Sequence, residues 1–292
     1  MPVNILLTYN PDSGKRRAAQ MLEPIVTGLS RAGALVTAVP VGAASTRDLL
    51  DTGRYDALVC CGGDGTLHYA VNDALLCAKH VPVGYFPSGS TNDFAATMGL
   101  TGRSTDEACA AIAALRTHPL DVGLAGGRAF CYIAAFGMFT EVSYQTPQEA
   151  KNALGHFAYI AEGARRLNLA QGWRVCVKAD GEEFEEEFWY GSVTNTTHIG
   201  GMALPDAMDV ELDDGLFEMV LIRRPRNVLE LQRLVTCLMT QKPDGDLLRV
   251  SRVQNAVFCF EGDTPWTLDG EEGPAERSVR IEVLHRGLEL LM

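Results

Sequence analysis

Three acidic stretches of this chain, each set among glycines or next to one, contain the residues that could do chemistry. The first, LVCCGGDGTLHYA from Leu58 to Ala70, centres on Gly62-Gly63-Asp64-Gly65-Thr66. Its glycines permit backbone conformations closed to other residues. A glycine loop between a strand and a helix start presents backbone N–H groups, the usual seat of a phosphate. Asp64 sits inside that cradle. A carboxylate there repels phosphate unless a divalent cation lies between them, so the loop suggests a metal–nucleotide site. The competing reading is a tight strand-to-helix turn with a solvated Asp. The second stretch, Pro87-Ser88-Gly89-Ser90-Thr91-Asn92-Asp93-Phe94, places Asp93 29 residues after Asp64. That separation is about one βαβ unit. Parallel strands open their following loops at one edge, adjacent strands lie ~4.8 Å apart, and ligands of open α/β sheets bind at that edge. The two Asp loops can therefore share one ligand. The third stretch, Asp269-Gly270-Glu271, follows the apolar strand Trp266 to Leu268. On its own it reads as a β-turn with two exposed acids, since Asp-Gly favours turns.

The elements that must position these loops are legible as an alternation of strands and helices. Asn4 to Thr8 reads as a strand leading into the polar turn Asn10 to Lys15. A helical pattern follows through Ala19, Leu22, Ile25 and Leu29, with a kink expected at Pro24. Ala34 to Val41 is a second strand and Thr46 to Leu50 a short helix. The apolar run Leu58 to Cys61 marks a strand buried on both faces. Thr66 is expected to cap the next helix, whose apolar positions are Leu67, Ala70, Val71 and Ala74. Pro82 to Phe86 is the next strand, and residues 104–116 form an Ala-rich helix. This alternation predicts a doubly wound parallel α/β sheet.

After Asp121 the texture changes. Gly126-Gly127 and Asp180-Gly181 read as hairpin turns, and a helix is expected from Pro147 to Leu167. Glu182, Glu183, Glu185, Glu186 and Glu187 read as an exposed strand surface. Strands are expected near Val210, at Leu216 to Ile222, Val253 to Phe260, Trp266 to Leu268 and Ser278 to Leu284, with a helix at Asn227 to Met239. The boundaries expected are an α/β nucleotide-binding domain over 1–121 and an antiparallel β-rich, sandwich-like substrate domain over 122–284. The site is expected in the cleft between them.

Composition narrows the function classes. The 292 residues carry a formal net charge of −12, which argues against a broad basic surface for nucleic acid. Hydrophobic content of 47% and charge of 21% are those of an ordinary globular chain. No run approaches the ~20 apolar residues of a membrane span. The start, MPVNILLTYN, reads as a first strand. The 8 cysteines are scattered without a CxxC, so reduced core thiols in the cytoplasm are the expectation. Oligomeric state is not legible.

In order along the chain stand NPDSG at 10–14, GGDGT at 62–66 and PSGSTNDFA at 87–95. They are followed by Gly155 and Tyr159, Asn195, His198-Ile199-Gly200-Gly201, Asp213-Asp214-Gly215-Leu216-Phe217, and Asp269-Gly270-Glu271. This ordered set resembles the diacylglycerol kinase catalytic-domain family, which includes bacterial soluble lipid kinases and sphingosine kinases. The resemblance spans nearly the whole chain. It implies ATP-dependent phosphorylation of a lipid hydroxyl, with Mg²⁺, by a protein that meets its lipid substrate transiently at a membrane surface. Gly62, Gly63, Asp64, Gly65, Thr66, Ser90, Asn92 and Asp93 would serve the nucleotide, with Asn10 near it. Asp64, Asp93 and Asp121 would form an acidic network around Mg²⁺. Glu271 would be the general base, with Asp269 supporting metal or geometry. A second, structural Mg²⁺ would rest on Asp214 and backbone oxygens near Glu211 and Leu216, with a plain Asp-Gly turn as the rival. The tail 285–292 would return to the first domain.

Two departures from the family pattern stand out. Where the family continues GGDGT with Asn and Glu, this chain has His68 and Tyr69. A surface histidine in the first helical turn is the expectation for His68. The family's Thr after the second strand has no match among Val41 to Thr46. The alternatives are an NAD-kinase-like enzyme for a soluble acceptor, which shares GGDGT, and a catalytically weak nucleotide-binding regulator.

Overall fold

The computed structural model describes residues 2–138, 172–199, 202–203, 210–240 and 242–292. The helix expected from Pro147 to Leu167, with Gly155, Tyr159, Arg165 and Arg166, lies outside the described residues, as do Gly200 and Gly201. The chain divides into two units, Met1–Val122 with His285–Met292, and Gly123–Leu284.

In the first unit, β1 (Asn4–Tyr9), β2 (Leu35–Pro40), β3 (Ala57–Gly62) and β4 (Val83–Pro87) pair in parallel in the order β4-β3-β1-β2. All of β3 is buried, as a central strand with both faces covered must be. The helices are α1 (Ser13–Arg31), α2 (Thr46–Asp51), α3 (Asp64–Leu76), α4 (Asp93–Thr97) and α5 (Thr105–Ala113). Ser104 starts α5 with a reciprocal capping box to Glu107. Ile5, Leu7, Val59 and Phe86 from the strands pack with Ile25 and Leu29 of α1, Cys109 and Ile112 of α5 and Leu291 of the tail. Each fully buried aliphatic side chain there contributes roughly 1.5–3 kcal/mol over an exposed one.

Two local expectations are corrected. The non-helical backbone in α1 falls at Gly14, Lys15 and Arg16, all left-handed, and not at Pro24. Helix α3 begins at Asp64 with Gly63 at its cap position, so Thr66 lies within the first turn and caps nothing.

The second unit is antiparallel. The strand β5 (Thr117–Ala125) runs into it and is followed by β6 (Arg128–Phe130), β7 (Ile133–Gly137), β8 (Trp173–Ala179) and β9 (Glu182–Thr194). The short β10 (His198–Ile199) and β11 (Met202–Ala203), β12 (Phe217–Arg223), helix α6 (Val228–Thr240), β13 (Leu248–Val253), β14 (Asn255–Leu268) and β15 (Glu271–Leu291) complete it. The pairing order is β13-β12-β9-β7-β14-β15, with β8 joined to both β9 and β14. The turn Asp180-Gly181 has both residues at positive φ and joins β8 to β9. Phe136 sits at the centre of the core, its ring 5.8 Å from Phe258, 5.0 Å from Phe260 and 4.9 Å from Trp266. The glutamates of β9 face outward, paired with Arg174, Lys178, Arg224 and Arg226.

Val210 itself is not in a strand, and residues 204–209 beside it lie outside the described residues. The separate strands expected within 253–284 are two long ones, β14 and β15, whose register shifts between Cys259 and Thr264 and again between Pro265 and Thr267. The last residues of β15 pair in parallel with β4, Leu290 against Val83 and Leu291 against Gly84. No helix among the described residues is long and apolar enough to cross a membrane.

Candidate active site

Strands β1, β3 and β4 are neighbours and parallel, so the loops at their carboxyl ends leave the sheet at one edge. The three loops touch through their backbones. Asn10 N–H donates to the Cys61 carbonyl at 3.0 Å, and Ser88 N–H to that of Gly62 at 2.7 Å. The hydroxyls of Ser88 and Ser13 meet at 3.3 Å. Gly14 has φ 58, and a Cβ there would lie 1.7 Å from the Ser88 carbonyl oxygen. A Cβ on Gly89 would lie 2.7 Å from Gly63 Cα. Only glycine lets these loops approach so closely. They form a floor of main-chain groups that larger residues would fill.

Asp64 opens α3 and also serves the start of α4. Its Oδ2 accepts from the Asp93 N–H at 3.2 Å and its Oδ1 from the Phe94 N–H at 3.4 Å. The carboxylate thus stands at two helix starts, where negative charge is favoured. Asp93 is buried. The pair brought together by the sheet edge is therefore linked directly, one carboxylate to the other's main chain.

The neighbouring polar residues mostly shape the loops. Asn92, at φ 55, accepts from Gly89 N–H at 2.8 Å and donates to the Gly89 carbonyl at 2.9 Å. The Asn10 side-chain oxygen accepts from the Asp12 N–H at 3.1 Å. Thr66 lies over Gly62, 2.2 Å from where a Cβ would be. Gly65 is inside the first turn of α3, and Ser90 is exposed at the loop tip. His68 is buried rather than at the surface, because the early start of α3 turns it inward, while Tyr69 is exposed. The His68 carbonyl accepts from the Asn72 side chain, and its ring meets Tyr69 edge-on at 5.3 Å.

Asp121 is a fully buried residue within β5. Its Oδ1 accepts from the Arg286 N–H at 2.6 Å and lies 3.1 Å from His285 Nδ1. Arg286 precedes Leu290, the partner of Val83 at the start of β4, whereas Asp64 and Asp93 lie beyond the far ends of β3 and β4. The register sets Asp121 toward the amino end of the sheet, tying β5 to β15. The bonds that join acids at the loop edge are those of Asp64 and Asp93.

In the second unit Asp269 and Gly270 are the two residues of a hairpin turn, both at positive φ, with Leu268 paired to Glu271. Asp269 is buried, contrary to the picture of an exposed turn. Its carboxylate accepts the N–H groups of Cys131 at 2.8 Å, Tyr132 at 3.0 Å and Ile133 at 3.1 Å. These bonds hold the turn in place, and Glu271 is the half-buried first residue after it. This clasp was invisible in the sequence because its donors are main-chain groups.

Asp214 accepts from the Leu216 N–H at 2.9 Å and pairs with the Arg252 guanidinium. Arg252 Nε also lies 3.7 Å from the buried Glu218. Glu211 is exposed, and the Leu212 carbonyl accepts from Asn195 at 3.3 Å. A guanidinium on the Asp214 carboxylate repels a divalent ion, so these residues do not fit a second Mg²⁺ in this arrangement. Among the described residues no three His, Cys, Asp or Glu side chains group into a ready-made metal shell. Asp64 and Asp93 fit Mg²⁺ differently. They offer hard oxygen ligands beside a main-chain cradle, and Mg²⁺ commonly takes one or two carboxylates and fills its remaining positions from phosphates and water.

The family model "Diacylglycerol kinase catalytic domain" matches residues 4–125. A diacylglycerol kinase of Staphylococcus carnosus (strain TM300) is 32% identical over 283 residues, covering 91% of this chain and 88% of that one. A diacylglycerol kinase of Bacillus subtilis (strain 168) is 29% identical over 272 residues, covering 91% and 89%. A crystal structure of a diacylglycerol kinase from Bacillus anthracis str. Sterne superposes with a TM-score of 0.72 at 19% identity, covering 99% of this chain and 96% of that one.

Proposed function

The chain belongs to the diacylglycerol kinase catalytic-domain family, and from that premise we propose that it is a lipid kinase transferring the γ-phosphate of ATP to the hydroxyl of diacylglycerol or a related lipid. The observation that carries the reading is the bond from the Asp93 N–H to the Asp64 carboxylate beside loops packed through glycine. Phosphoryl transfer asks for positioned phosphates, a counter-charge and an aligned hydroxyl. Gly62, Gly63, Gly65 and Ser90 contact the phosphates, while Asn10, Asn92 and Thr66 keep the loops in shape. Asp64 and Asp93 would hold Mg²⁺, which offsets the charge on the transferring group when bound. Glu271 accepts the proton of the acceptor hydroxyl, and Asp269 holds the turn that presents Glu271.

Contact with the lipid is peripheral and reversible, because no helix among the described residues can cross a membrane and the net charge of −12 gives no strong pull toward anionic lipid. The test is transfer of label from ATP to lipids in mixed micelles, with NAD as the soluble acceptor in parallel. A labelled phospholipid product supports the reading. Labelled NADP without a labelled lipid would replace it with a soluble-acceptor kinase, and label on neither would favour a regulatory nucleotide-binding protein.

A further inference from the structure

Cys176 on β8 and Cys259 on β14 face each other directly across an antiparallel ladder. The neighbouring pair, Val177 and Phe258, is fully buried in the core. Strand alternation therefore turns both cysteines to the opposite face, where each is a half-buried free thiol. Their contacts are long and easily broken. Cys176 Sγ is 3.5 Å from Glu183 Oε1, and Cys259 Sγ is 3.7 Å from Ser278 Oγ. Directly opposed residues of an antiparallel pair have Cα atoms roughly 4.5–5.5 Å apart. A disulfide takes roughly 4.4–6.8 Å. The Cα spacing of such a pair falls within the disulfide range, and Cβ atoms roughly 4.5–5.5 Å apart need only a small approach, beside side-chain rotation, to reach the roughly 3.5–4.5 Å of a disulfide.

We propose that Cys176 and Cys259 are a reversible oxidation site that closes to an intramolecular disulfide when the protein meets a hydroperoxide or a low-molecular-weight disulfide. With hydrogen peroxide, one thiol ionises and its thiolate attacks a peroxide oxygen, the O–O bond breaks, and the leaving hydroxide takes up the released proton, giving a sulfenic acid and water. The second thiol then attacks that sulfur, the S–O bond breaks, and a second water leaves. Two electrons pass from the thiols to the peroxide. With oxidised glutathione, two successive exchanges give the same bond and release two glutathione thiols.

The other cysteines set the contrast. Cys60, Cys61, Cys77, Cys109 and Cys131 are buried, and burial pushes the Cys61 thiol up to about 11. Cys237 is half-buried on α6. Burial and the Glu183 carboxylate also raise the Cys176 thiol, so the reaction quickens as pH rises. A disulfide on an open sheet face is of the labile kind, formed under oxidative challenge and reversed by reductant.

The test uses the full-length protein with oxidised glutathione, followed by alkylation, digestion without reduction and mass spectrometry. The expected result is the peptide of Cys176 joined to that of Cys259, two hydrogens lighter than the sum, and released by dithiothreitol. The unfolding midpoint of the oxidised protein should rise and return on reduction. Cys176→Ser and Cys259→Ser should each abolish the link and leave the remaining cysteine carrying one glutathione, as Cys237 does throughout. Separate glutathione adducts on Cys176 and Cys259 in the wild-type chain would overturn the proposal. So would two unmodified thiols under conditions that fully modify Cys237.

Discussion

Tyr132 and Asp269 hold each other twice: the Tyr132 N–H donates to Asp269 Oδ1 at 3.0 Å, and the Tyr132 hydroxyl donates to the Asp269 carbonyl at 3.2 Å. With the Cys131 and Ile133 N–H groups on the same carboxylate, this fixes the turn from which Glu271 starts β15. Replacing Asp269 with Asn turns one acceptor into a donor facing a buried N–H. The expected loss is about 1–3 kcal/mol of stability, the cost of leaving such a group unpaired. Turnover should fall while ATP affinity stays. Urea midpoints of Asp269→Asn beside Tyr132→Phe check this, with the hydroxyl deletion the milder of the two. Equal midpoints for Asp269→Asn and wild type would mean that the clasp does not stabilise the turn.

Asp64 uses both oxygens on the start of α4. Asp64→Asn keeps one acceptor and loses the charge, so the fold should survive while turnover drops by about 10²-fold or more, the scale on which removing one electrostatic group acts. Asp93→Asn should behave similarly. Circular dichroism and the lipid kinase assay together decide it. Folded variants with near-wild-type transfer would exclude the metal–phosphate assignment.

Gly14 combines φ 58 with a carbonyl 1.7 Å from its absent Cβ. Gly14→Ala must therefore push the loops after β1 and β4 apart. Weakened ATP binding and a lowered unfolding midpoint should appear together. Calorimetric titration with ATP at matched folding would show it, and unaltered affinity would mean the loop packing is unrelated to nucleotide binding.

Asp244 supplies a pH signature. Burial raises its carboxyl, but the N–H groups of Leu248, Asp246 and Leu247 and the Arg233 charge outweigh that and hold it below the ordinary value of 3.8. A depressed folded value means stability that is present above the unfolded value and lost as pH falls through the folded one. The difference in stability between wild type and Asp244→Asn should thus be full at neutral pH and shrink below about pH 4. A difference constant down to the acid transition would contradict the assignment.

The parallel sheet and its acid loops were readable because a fully buried strand writes a continuous apolar run, as in Leu58 to Cys61, and the glycines directly after it mark a loop. The contact between Asp64 and Asp93 was readable as a shared edge, though not as a carboxylate on a helix start. The length of β14 and β15 was hidden because Gly262, Pro265, Gly273 and Pro274 look like turns, whereas shifts of register in the ladder accommodate several breakers without ending either strand. The burial of Asp269 was hidden too, since its donors are backbone groups 136 to 138 positions away. Arg252 on β13 reaches Asp214 in the bend before β12, a pairing 38 positions apart that the ladder between β12 and β13 brings together.

In the proposed reaction Asp64 and Asp93 serve the nucleotide and its metal, and Glu271 takes the acceptor proton. A lipid hydroxyl is a weak nucleophile at neutral pH, and a carboxylate assists as its proton leaves. Glu271→Gln keeps size and polarity but cannot accept that proton. The measurement is kcat for lipid phosphorylation beside the dissociation constant for ATP in this variant. The expected result is a fall in kcat of ~10²–10⁴-fold, the usual range for loss of a general base, with ATP affinity nearly unchanged. An unchanged kcat would contradict it, and lost ATP binding would move Glu271 from the acceptor to the metal and phosphates.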